Sequence, residues 1–477
     1  MSFKRTQLVI LSLSLLFTFA IVYSPHLNYR FPFHIDEWHY ITESLELGQG
    51  AVALFPSGLE IGFYFFLSLL AKLTDLVLIY RFLPAIWAAV SGLILFYVTY
   101  KKTNSNFLVA IFSVIFFASI KSNVNITGLW FFTPLSFAIP FIFLYVYLFT
   151  EGVEKQNKKL ILSSVGLMIF LLPVHAISIL FSWPFLFIHL LFNRQFFRKE
   201  LKFFSVLALV LAAVGVTFYQ IIARVPWANI FSSLIVNLAF KKGWGVLELQ
   251  NYFSEIYSLL GYILAIIGAA AILLSAARHK YLVYLLWPLT VLIAVFIYRL
   301  TDLSLLVPYQ RNFYYLALSL PFLSAFGLYY LFDLIRKKII NPYWQAITLA
   351  ALIISAGFFS FQAYYNLPAQ TRLYRVIDEK DYQDLLFMAA LPPGRVMADP
   401  PIATALYPIA RQTPIATVRF EDYHAPLIEF SLANGCAAKK SVLDRYRISY
   451  LILPAKTDCD WELIYAKNNF IYRLPDW

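Results

Sequence analysis

A short acidic stretch near the N-terminus carries the side chains best suited to chemistry. The segment FHIDEWHYITE, residues 33–43, contains Asp36, Glu37, His39 and Glu43. If residues 35–47 form a helix, Asp36, Tyr40 and Glu43 share one face by their i, i+4, i+7 spacing, and Glu37 lies beside them. A carboxylate next to a low-dielectric surface gains proton affinity and can act as a general base toward a hydroxyl, or it can bind a cation.

The same stretch also fits a purely structural role. Asp36 can N-cap the helix, and Glu37 can favour the positive end of the helix dipole. Trp38 can anchor the segment at a membrane interface. The residue types alone leave the chemical and the structural interpretation open.

The composition places the chain in a membrane. Of its 477 residues 61% are hydrophobic and only 13% are charged, with a mean hydropathy of +0.70, whereas a soluble domain has about 25% charged residues. The net charge of +12 comes mostly from short basic clusters between apolar runs, a pattern typical of membrane topology. We therefore predict an integral membrane protein that binds no nucleic acid.

Apolar runs of membrane length recur along most of the chain, because a bilayer core of about 30 Å needs roughly 20 apolar residues per helix. They predict eleven spans, at residues 6–24, 77–100, 104–120, 131–150, 159–174, 176–193, 202–224, 259–277, 281–299, 312–333 and 343–361. A shorter apolar segment at 58–73 breaks the parity of the basic clusters if it spans, so we predict an outer juxtamembrane helix there.

Basic clusters fall in alternate linkers and give the orientation. By the positive-inside rule they face the cytoplasm together with the N-terminus. The acidic stretch, the loop 225–258 and everything after residue 361 then lie on the outer side of an inner (plasma) membrane.

The last part of the chain has a different composition, with more charge and proline and no run long enough to span. We divide the chain into a membrane domain, 1–361, and an extracytoplasmic α/β domain, 362–477. Short strands are predicted at 395–399 and 450–453, a helix at 400–411 and a hairpin at 461–474 that turns at Asn468 and Asn469. Cys436 and Cys459 can pair or remain free.

This order of elements resembles the GT-C fold of polyprenyl-phosphate-dependent glycosyltransferases, such as the protein O-mannosyltransferases and the aminoarabinose transferases. Asp36 and Glu37 in HIDEWHY match the Asp-Glu motif of the first outer loop in that superfamily. The resemblance implies that Asp36 acts on the acceptor hydroxyl and that Glu37 positions acceptor or donor. Arg311 in YQRNFYY resembles the late-loop arginine that faces the donor phosphate.

Other outer polar residues are candidates for the same site. His175 in LLPVHAIS, and Lys241 and Lys242 in AFKKGWG, can contact a donor phosphate, and Glu60 can be a second acid. Each also has a structural interpretation: an interfacial histidine bonded to backbone, a solvated turn, or a charge at the water boundary. Arg311 can likewise extend to lipid head groups.

The expected activity is that of an inverting glycosyltransferase that moves a sugar from a polyprenyl-phosphate donor to an acceptor hydroxyl on a glycan, lipid or protein. The loop 121–130 lacks the second acidic pair with which oligosaccharyltransferases hold a divalent metal. No cofactor is therefore expected, and a divalent metal stays open. The alternatives are a lipid-linked oligosaccharide ligase or polymerase, a non-catalytic membrane scaffold, and a transporter.

Overall fold

The computed structural model describes residues 4–48, 60–122, 128–223, 226–241, 252–276, 278–339, 341–365, 375–417 and 424–474. These residues divide into two compact units. The first unit draws on residues 1–27, 55–63 and 82–368. The second draws on residues 28–54, 64–81 and 369–477, so it combines the C-terminal part of the chain with two earlier segments.

Helices make up most of the described chain. In chain order they are α1 (Arg5–Tyr23), α2 (Ile35–Gly48), α3 (Ile61–Ala71), α4 (Leu76–Ile79), α5 (Leu83–Lys102), α6 (Phe107–Phe117), α7 (Pro134–Glu154), α8 (Lys158–His175), α9 (Ile177–Leu180), α10 (Trp183–Phe192), α11 (Arg194–Lys199), α12 (Leu201–Ala223), α13 (Ile230–Asn237), α14 (Tyr252–Ile256), α15 (Leu259–Leu274), α16 (Leu282–Thr301), α17 (Tyr309–Lys338), α18 (Pro342–Tyr365), α19 (Glu379–Ala389), α20 (Pro400–Ala410), α21 (Ala425–Leu432) and α22 (Gly435–Arg445).

The strands are short. They are β1 (Ala239–Lys241), β2 (Leu303–Leu305), β3 (Arg395–Met397), β4 (Thr413–Pro414), β5 (Tyr450–Leu453), β6 (Glu462–Ala466) and β7 (Phe470–Arg473).

Each of the eleven predicted spans coincides with a helix. Among the described residues, eight helical segments are long and apolar enough to cross a membrane: α1, α4 with α5, α7, α8, α12, α16, α17 and α18. The other three predicted spans are the shorter apolar helices α6, α9 with α10, and α15. The juxtamembrane segment is also a short apolar helix, α3. The protein is therefore an integral, multi-pass membrane protein.

The short helix α6 lies inside the first unit and packs against α5 and α17. Every residue from Val109 to Phe117 is buried. A helix that is hydrophobic on all sides is stable only when other helices surround it. The sequence of α6 is therefore as apolar as that of a membrane span, although the helix has only eleven residues and a span needs roughly 20.

Two glycines allow the backbones of α15 and α17 to touch. A Cβ atom added at Gly268 would overlap the carbonyl oxygen of Leu323, and one added at Gly327 would overlap the carbonyl oxygen of Leu264. Small residues at helix contacts are the usual means of close packing in membranes, where the hydrophobic effect does not drive association.

The second unit contains a five-stranded sheet in the order β4-β3-β5-β7-β6. Strand β3 is parallel to β4 and to β5, and β7 is antiparallel to β5 and to β6. The predicted strands at 395–399 and 450–453, the helix at 400–411 and the hairpin are all confirmed.

Asp384 shows why the hairpin turns at its two asparagines. This buried carboxylate accepts hydrogen bonds from the backbone N–H of Asn469 at 2.9 Å and from the side-chain amides of Asn468 and Asn469 at 3.0 and 2.8 Å. Elsewhere in the second unit, Cys436 and Cys459 form a disulfide, so of the two alternatives that the sequence left open they are paired.

The contact between α15 and α17 gives a prediction about stability. Gly268→Ala or Gly327→Ala forces a methyl group onto backbone, and overpacking of this kind costs about 1–3 kcal/mol. Gly166→Ala in α8 is the matched control, because no atom lies within 4 Å of the position of its added Cβ. Thermal unfolding in detergent should show a lower midpoint for both contact variants and an unchanged or higher midpoint for the control. Equal midpoints for all three variants would contradict the close contact.

Candidate functional site

The predicted acidic helix is present as α2, and Glu37 fixes its start. The carboxylate oxygen Oε2 of Glu37 accepts hydrogen bonds from the backbone N–H groups of Phe33 and His34 at 2.9 and 3.0 Å. Glu37 is 1% exposed. The orphan N–H groups before a helix need such an acceptor. Glu37 therefore holds the turn that leads into α2.

Asp36 is the accessible carboxylate of this motif. Its side chain is 36% exposed, and its Oδ2 lies 3.5 Å from Nδ1 of His34. Nδ1 of His34 also accepts the backbone N–H of Asp36 at 3.1 Å. Because α2 begins at Ile35, Asp36 lies within the first turn, and the carboxylate that accepts backbone hydrogen bonds is that of Glu37.

Trp38 does not anchor at an interface. It is fully buried, and its indole N–H donates to the carbonyl of Pro32 at 3.2 Å. This corrects the alternative in which Trp38 meets the membrane surface.

The segment that precedes α2 is attached to other parts of the second unit. Tyr29 donates its hydroxyl to the carbonyl of Ile377 at 2.9 Å. The guanidinium of Arg30 contacts Glu379 at 2.5 Å and lies over the ring of Tyr382. The turn that presents Asp36 is thus held from both sides, by Glu37 and by these long-range contacts.

Glu43, two turns further along α2, also lies next to a histidine. Its Oε1 lies 3.3 Å from Nε2 of His39. Burial, and to a smaller extent the negative charge of Glu46, raises the pKa of Glu43 to about 7. Seven residues at 1.5 Å per residue separate Asp36 and Glu43 by about 10 Å along the helix. The two acids therefore form two carboxylate–histidine pairs along one helix.

A second polar cluster lies in the first unit, at the end of α8. Nδ1 of the buried His175 is 2.7 Å from the hydroxyl of Ser178, which in turn is 3.1 Å from the hydroxyl of Tyr315. The ring of Tyr315 stacks on Phe181 with the centroids 3.8 Å apart. This chain of hydroxyls fixes the orientation of the imidazole.

Arg311 belongs to the same cluster. It lies in the first turn of α17, half-buried, and its positive charge acts on His175, Tyr314 and Tyr315. The structure thus brings together His175 and Arg311, two residues that the sequence assigned separately to a phosphate. Arginine binds phosphate through a planar fork of N–H donors, and a neighbouring imidazole adds a further donor.

The three remaining candidates are Lys241, Lys242 and Glu60. Lys241 ends β1, whose backbone pairs with β2 in the segment that leads to α17, while Lys242 lies outside the described residues. Glu60 precedes α3 and is half-buried, and it belongs to the first unit whereas Asp36 belongs to the second. The roles of all three remain predictions.

Within the part of the chain that the structure describes, no three His, Cys, Asp or Glu residues are arranged to hold a metal ion. The two carboxylate–histidine pairs supply two ligands each, which is fewer than a protein metal site normally uses.

Sequence reasoning missed three residues of these clusters. His34 stands two residues before Asp36, and its signal was present in FHIDEWHY itself. Ser178 follows His175 at helical i+3 spacing, and Tyr315 follows Arg311 at i+4, so both lie one turn from a residue that was singled out. The contact between Ser178 and Tyr315 joins helices far apart in sequence, which no local spacing reveals.

Solved structures share this architecture at low sequence identity. The oligosaccharyltransferase of Archaeoglobus fulgidus, crystallised with a tethered acceptor peptide containing the NVT sequon, matches with a TM-score of 0.57 and 13% identity over 94% of this chain and 69% of that one. ArnT from Cupriavidus metallidurans in the apo state matches with a TM-score of 0.57 and 11% identity over 98% of this chain and 97% of that one. No protein-family model and no curated protein sequence matches.

The protein has the GT-C fold. This confirms the resemblance that the order of elements suggested, since the structural match extends over 98% of this chain and 97% of the ArnT chain. ArnT bound to undecaprenyl phosphate also matches, with a TM-score of 0.52 and 12% identity over 98% of this chain and 97% of that one. At identities of 11–13%, these similarities show a shared fold and not a shared reaction. Any chemistry of this protein depends on its own side chains.

The raised pKa of Glu43 predicts a dependence of stability on pH. In the unfolded chain a glutamate titrates near 4.3, so between about pH 4.5 and 7 the folded protein keeps a proton that the unfolded chain releases. The free energy of unfolding therefore falls as pH rises through this window. Glu43→Gln removes the group, so the variant should lose less thermal stability than wild type between pH 5 and 8.

Glu462→Gln, at an exposed carboxylate of the same unit, is the control and should follow wild type. An identical pH slope for Glu43→Gln and wild type would mean that Glu43 does not carry this proton.

Proposed function

We propose that the protein is an inverting glycosyltransferase that transfers a sugar from a polyprenyl-phosphate donor to an acceptor hydroxyl. The observation that carries this proposal is the GT-C architecture shared with nearly the full length of ArnT, which has been crystallised with undecaprenyl phosphate. Asp36 on the one hand, and the cluster around Arg311 on the other, each offer a group of the kind that such a reaction needs.

Asp36 is the proposed general base. As the acceptor oxygen attacks the anomeric carbon, Asp36 takes the hydroxyl proton, the bond between that carbon and the phosphate oxygen breaks, and the electron pair leaves with the phosphate. The imidazole of His34 is the polar neighbour of this carboxylate, with its Nδ1 3.5 Å from Oδ2 of Asp36. Attack opposite the leaving group inverts the anomeric centre.

Arg311 and His175 are the proposed partners of the leaving phosphate. Negative charge grows on the phosphate oxygens as the sugar departs, and preoriented donors stabilise that charge most effectively. Because the pKa of a phosphate is low enough for it to leave as an anion, the mechanism requires no strong general acid. Glu37 contributes by holding the turn that presents Asp36.

The proposed setting is an inner (plasma) membrane, with the N-terminus in the cytoplasm and the C-terminal part outside. The basic linkers support this orientation, and so does the disulfide between Cys436 and Cys459, since disulfides persist in oxidising compartments. A transporter would be expected to carry charged residues in mid-span, whereas Asp36, His175 and Arg311 each lie in the first or last turn of a helix. The proposed partners are the lipid-linked donor and a hydroxyl-bearing glycan, lipid or protein.

The first test compares transfer of labelled sugar from polyprenyl-phosphate donors to membrane acceptors by wild type and Asp36→Asn. We expect the variant to lose at least about 100-fold in transfer rate, the usual contribution of a general base, while binding of the donor persists. Asp444→Asn, at another half-buried acid of the second unit, is the control and should be fully active. Wild-type rates in Asp36→Asn, or no transfer from any donor by wild type, would contradict the proposal.

The second test addresses the phosphate partners through Tyr315. Tyr315→Phe keeps the stack on Phe181 but removes the hydroxyl that contacts Ser178, so His175 loses its fixed orientation. We expect a lower transfer rate and weaker binding of polyprenyl phosphate by titration calorimetry. Tyr284→Phe is the matched control, because Tyr284 is also buried and stacks on Phe322 with the centroids 3.7 Å apart. If both variants behave alike, the cluster around His175 has no part in donor binding.

Arg311→Gln and Arg311→Lys separate charge from geometry at the same site. The glutamine variant should lose donor binding, and the lysine variant should recover only part of it, because lysine lacks the planar fork. Full recovery by lysine would reduce the role of Arg311 to that of a point charge.

A further inference from the structure

An apolar groove in the first unit lies beside four exposed basic residues that contact no carboxylate among the described residues. The groove has a volume of about 530 Å³. It is lined by side chains from α7, α8, α10, α11 and α12, among them Phe149, Met168, Phe187, Phe197 and Phe204. Apart from Ser205 and Trp183, the side chains that line it are purely apolar.

The basic residues stand beside Phe197 in the segment NRQFFRKELK. Arg194 lies one helical turn before Phe197 and Arg198 lies next to it, and Lys199 and Lys202 follow. All four are exposed. Over the described residues, none of these four contacts a carboxylate.

Other basic clusters of the same unit are mostly neutralised. Lys155 contacts Glu151 at 2.6 Å, Lys158 contacts Glu200 at 2.5 Å, and Arg336 and Lys337 both contact Asp333 at 2.8 Å. The acid within the segment, Glu200, is thus already paired with Lys158. Among the residues that the structure describes, the positive charge beside the groove is therefore not balanced by a carboxylate.

The position of this charge distinguishes it from the proposed donor site. Lys158 begins α8 and contacts Glu200 beside the basic residues, whereas His175 is the last residue of the same helix. The 18 residues of α8 at 1.5 Å per residue separate the two ends by about 27 Å. A lipid whose head group binds Arg194 and Arg198 therefore cannot place its phosphate at His175 or Arg311.

We propose that the groove holds one acyl chain of an anionic glycerophospholipid, whose phosphate binds Arg194 and Arg198. Basic residues at the ends of membrane helices form characteristic sites for anionic head groups, where the charge attracts the head and the gap between helices takes the chain. The bound lipid closes the gap between α8, α10 and α12. This site is separate from the transfer reaction and does not depend on it.

The experiment measures lipid retention by native mass spectrometry of the purified full chain. The probes are palmitoyl-oleoyl phosphatidylglycerol, which is anionic, and the matching phosphatidylcholine, which is zwitterionic. Wild type should retain phosphatidylglycerol at a several-fold lower lipid concentration than phosphatidylcholine. Raising the salt concentration before analysis should reduce that preference, because exposed charges are screened.

Three variants locate the site. Arg194→Gln with Arg198→Gln should abolish the preference, and Ser205→Trp, which fills the groove, should lower retention of both lipids. The control, Arg278→Gln with Lys338→Gln, removes two exposed basic residues that do not line the groove and should keep the wild-type preference. Thermal unfolding of each variant verifies that it is folded.

Several results would overturn the proposal. Equal retention of the two lipids by wild type would do so, and so would a preference that survives in Arg194→Gln with Arg198→Gln. Equal loss of the preference in the control would mean that diffuse charge, not this site, attracts the lipid. If undecaprenyl phosphate displaces phosphatidylglycerol and Ser205→Trp abolishes its retention, the groove belongs to the donor chain instead.

Discussion

The apolar core of a membrane offers no partner for a polar group, and this constraint determines where the side chains of this protein can do chemistry. An unpaired charge in hydrocarbon costs several kcal/mol, so polar residues must be paired within the protein or lie at helix ends. Lys102 at the end of α5 illustrates the first solution: it is fully buried and contacts Glu151 at 3.3 Å and Glu154 at 2.6 Å. The cluster around His175, at the end of α8, illustrates the second.

The same constraint explains how much of the fold could be predicted. A membrane helix must satisfy all its backbone hydrogen-bonding groups internally, so a local run of apolar residues is enough to predict it. Each of the eleven predicted spans accordingly coincides with helical structure. The length of α6 was harder to predict, because this short apolar helix depends on the helices that cover it. Gly268 and Gly327 could not be paired from sequence, since their contact joins two helices.

The site was predictable to the extent that its chemistry is local. Asp36 and Glu37 were found because they are adjacent and follow the first span, where the superfamily that the sequence resembles has its Asp-Glu motif. Their different environments could not be predicted. Neighbouring carboxylates look alike in sequence, yet Glu37 is buried and accepts the backbone N–H groups of Phe33 and His34, while Asp36 is half-buried beside an imidazole. That difference depends on the turn and on its long-range contacts through Tyr29 and Arg30.

The two acids of the motif have different hydrogen-bond partners, and this difference bears on the proposed mechanism. A carboxylate that accepts two backbone hydrogen bonds is stabilised in its charged form and has little tendency to take a proton. A general base needs the opposite, an open lone pair and a partner that can share the proton once it arrives. Glu37 accepts the two backbone hydrogen bonds that hold the turn, and Asp36 keeps a carboxylate that is partly open to solvent, as the proposed base requires. In the proposed reaction, the motif would therefore supply one reactive group, Asp36, because the other acid is bound to the backbone.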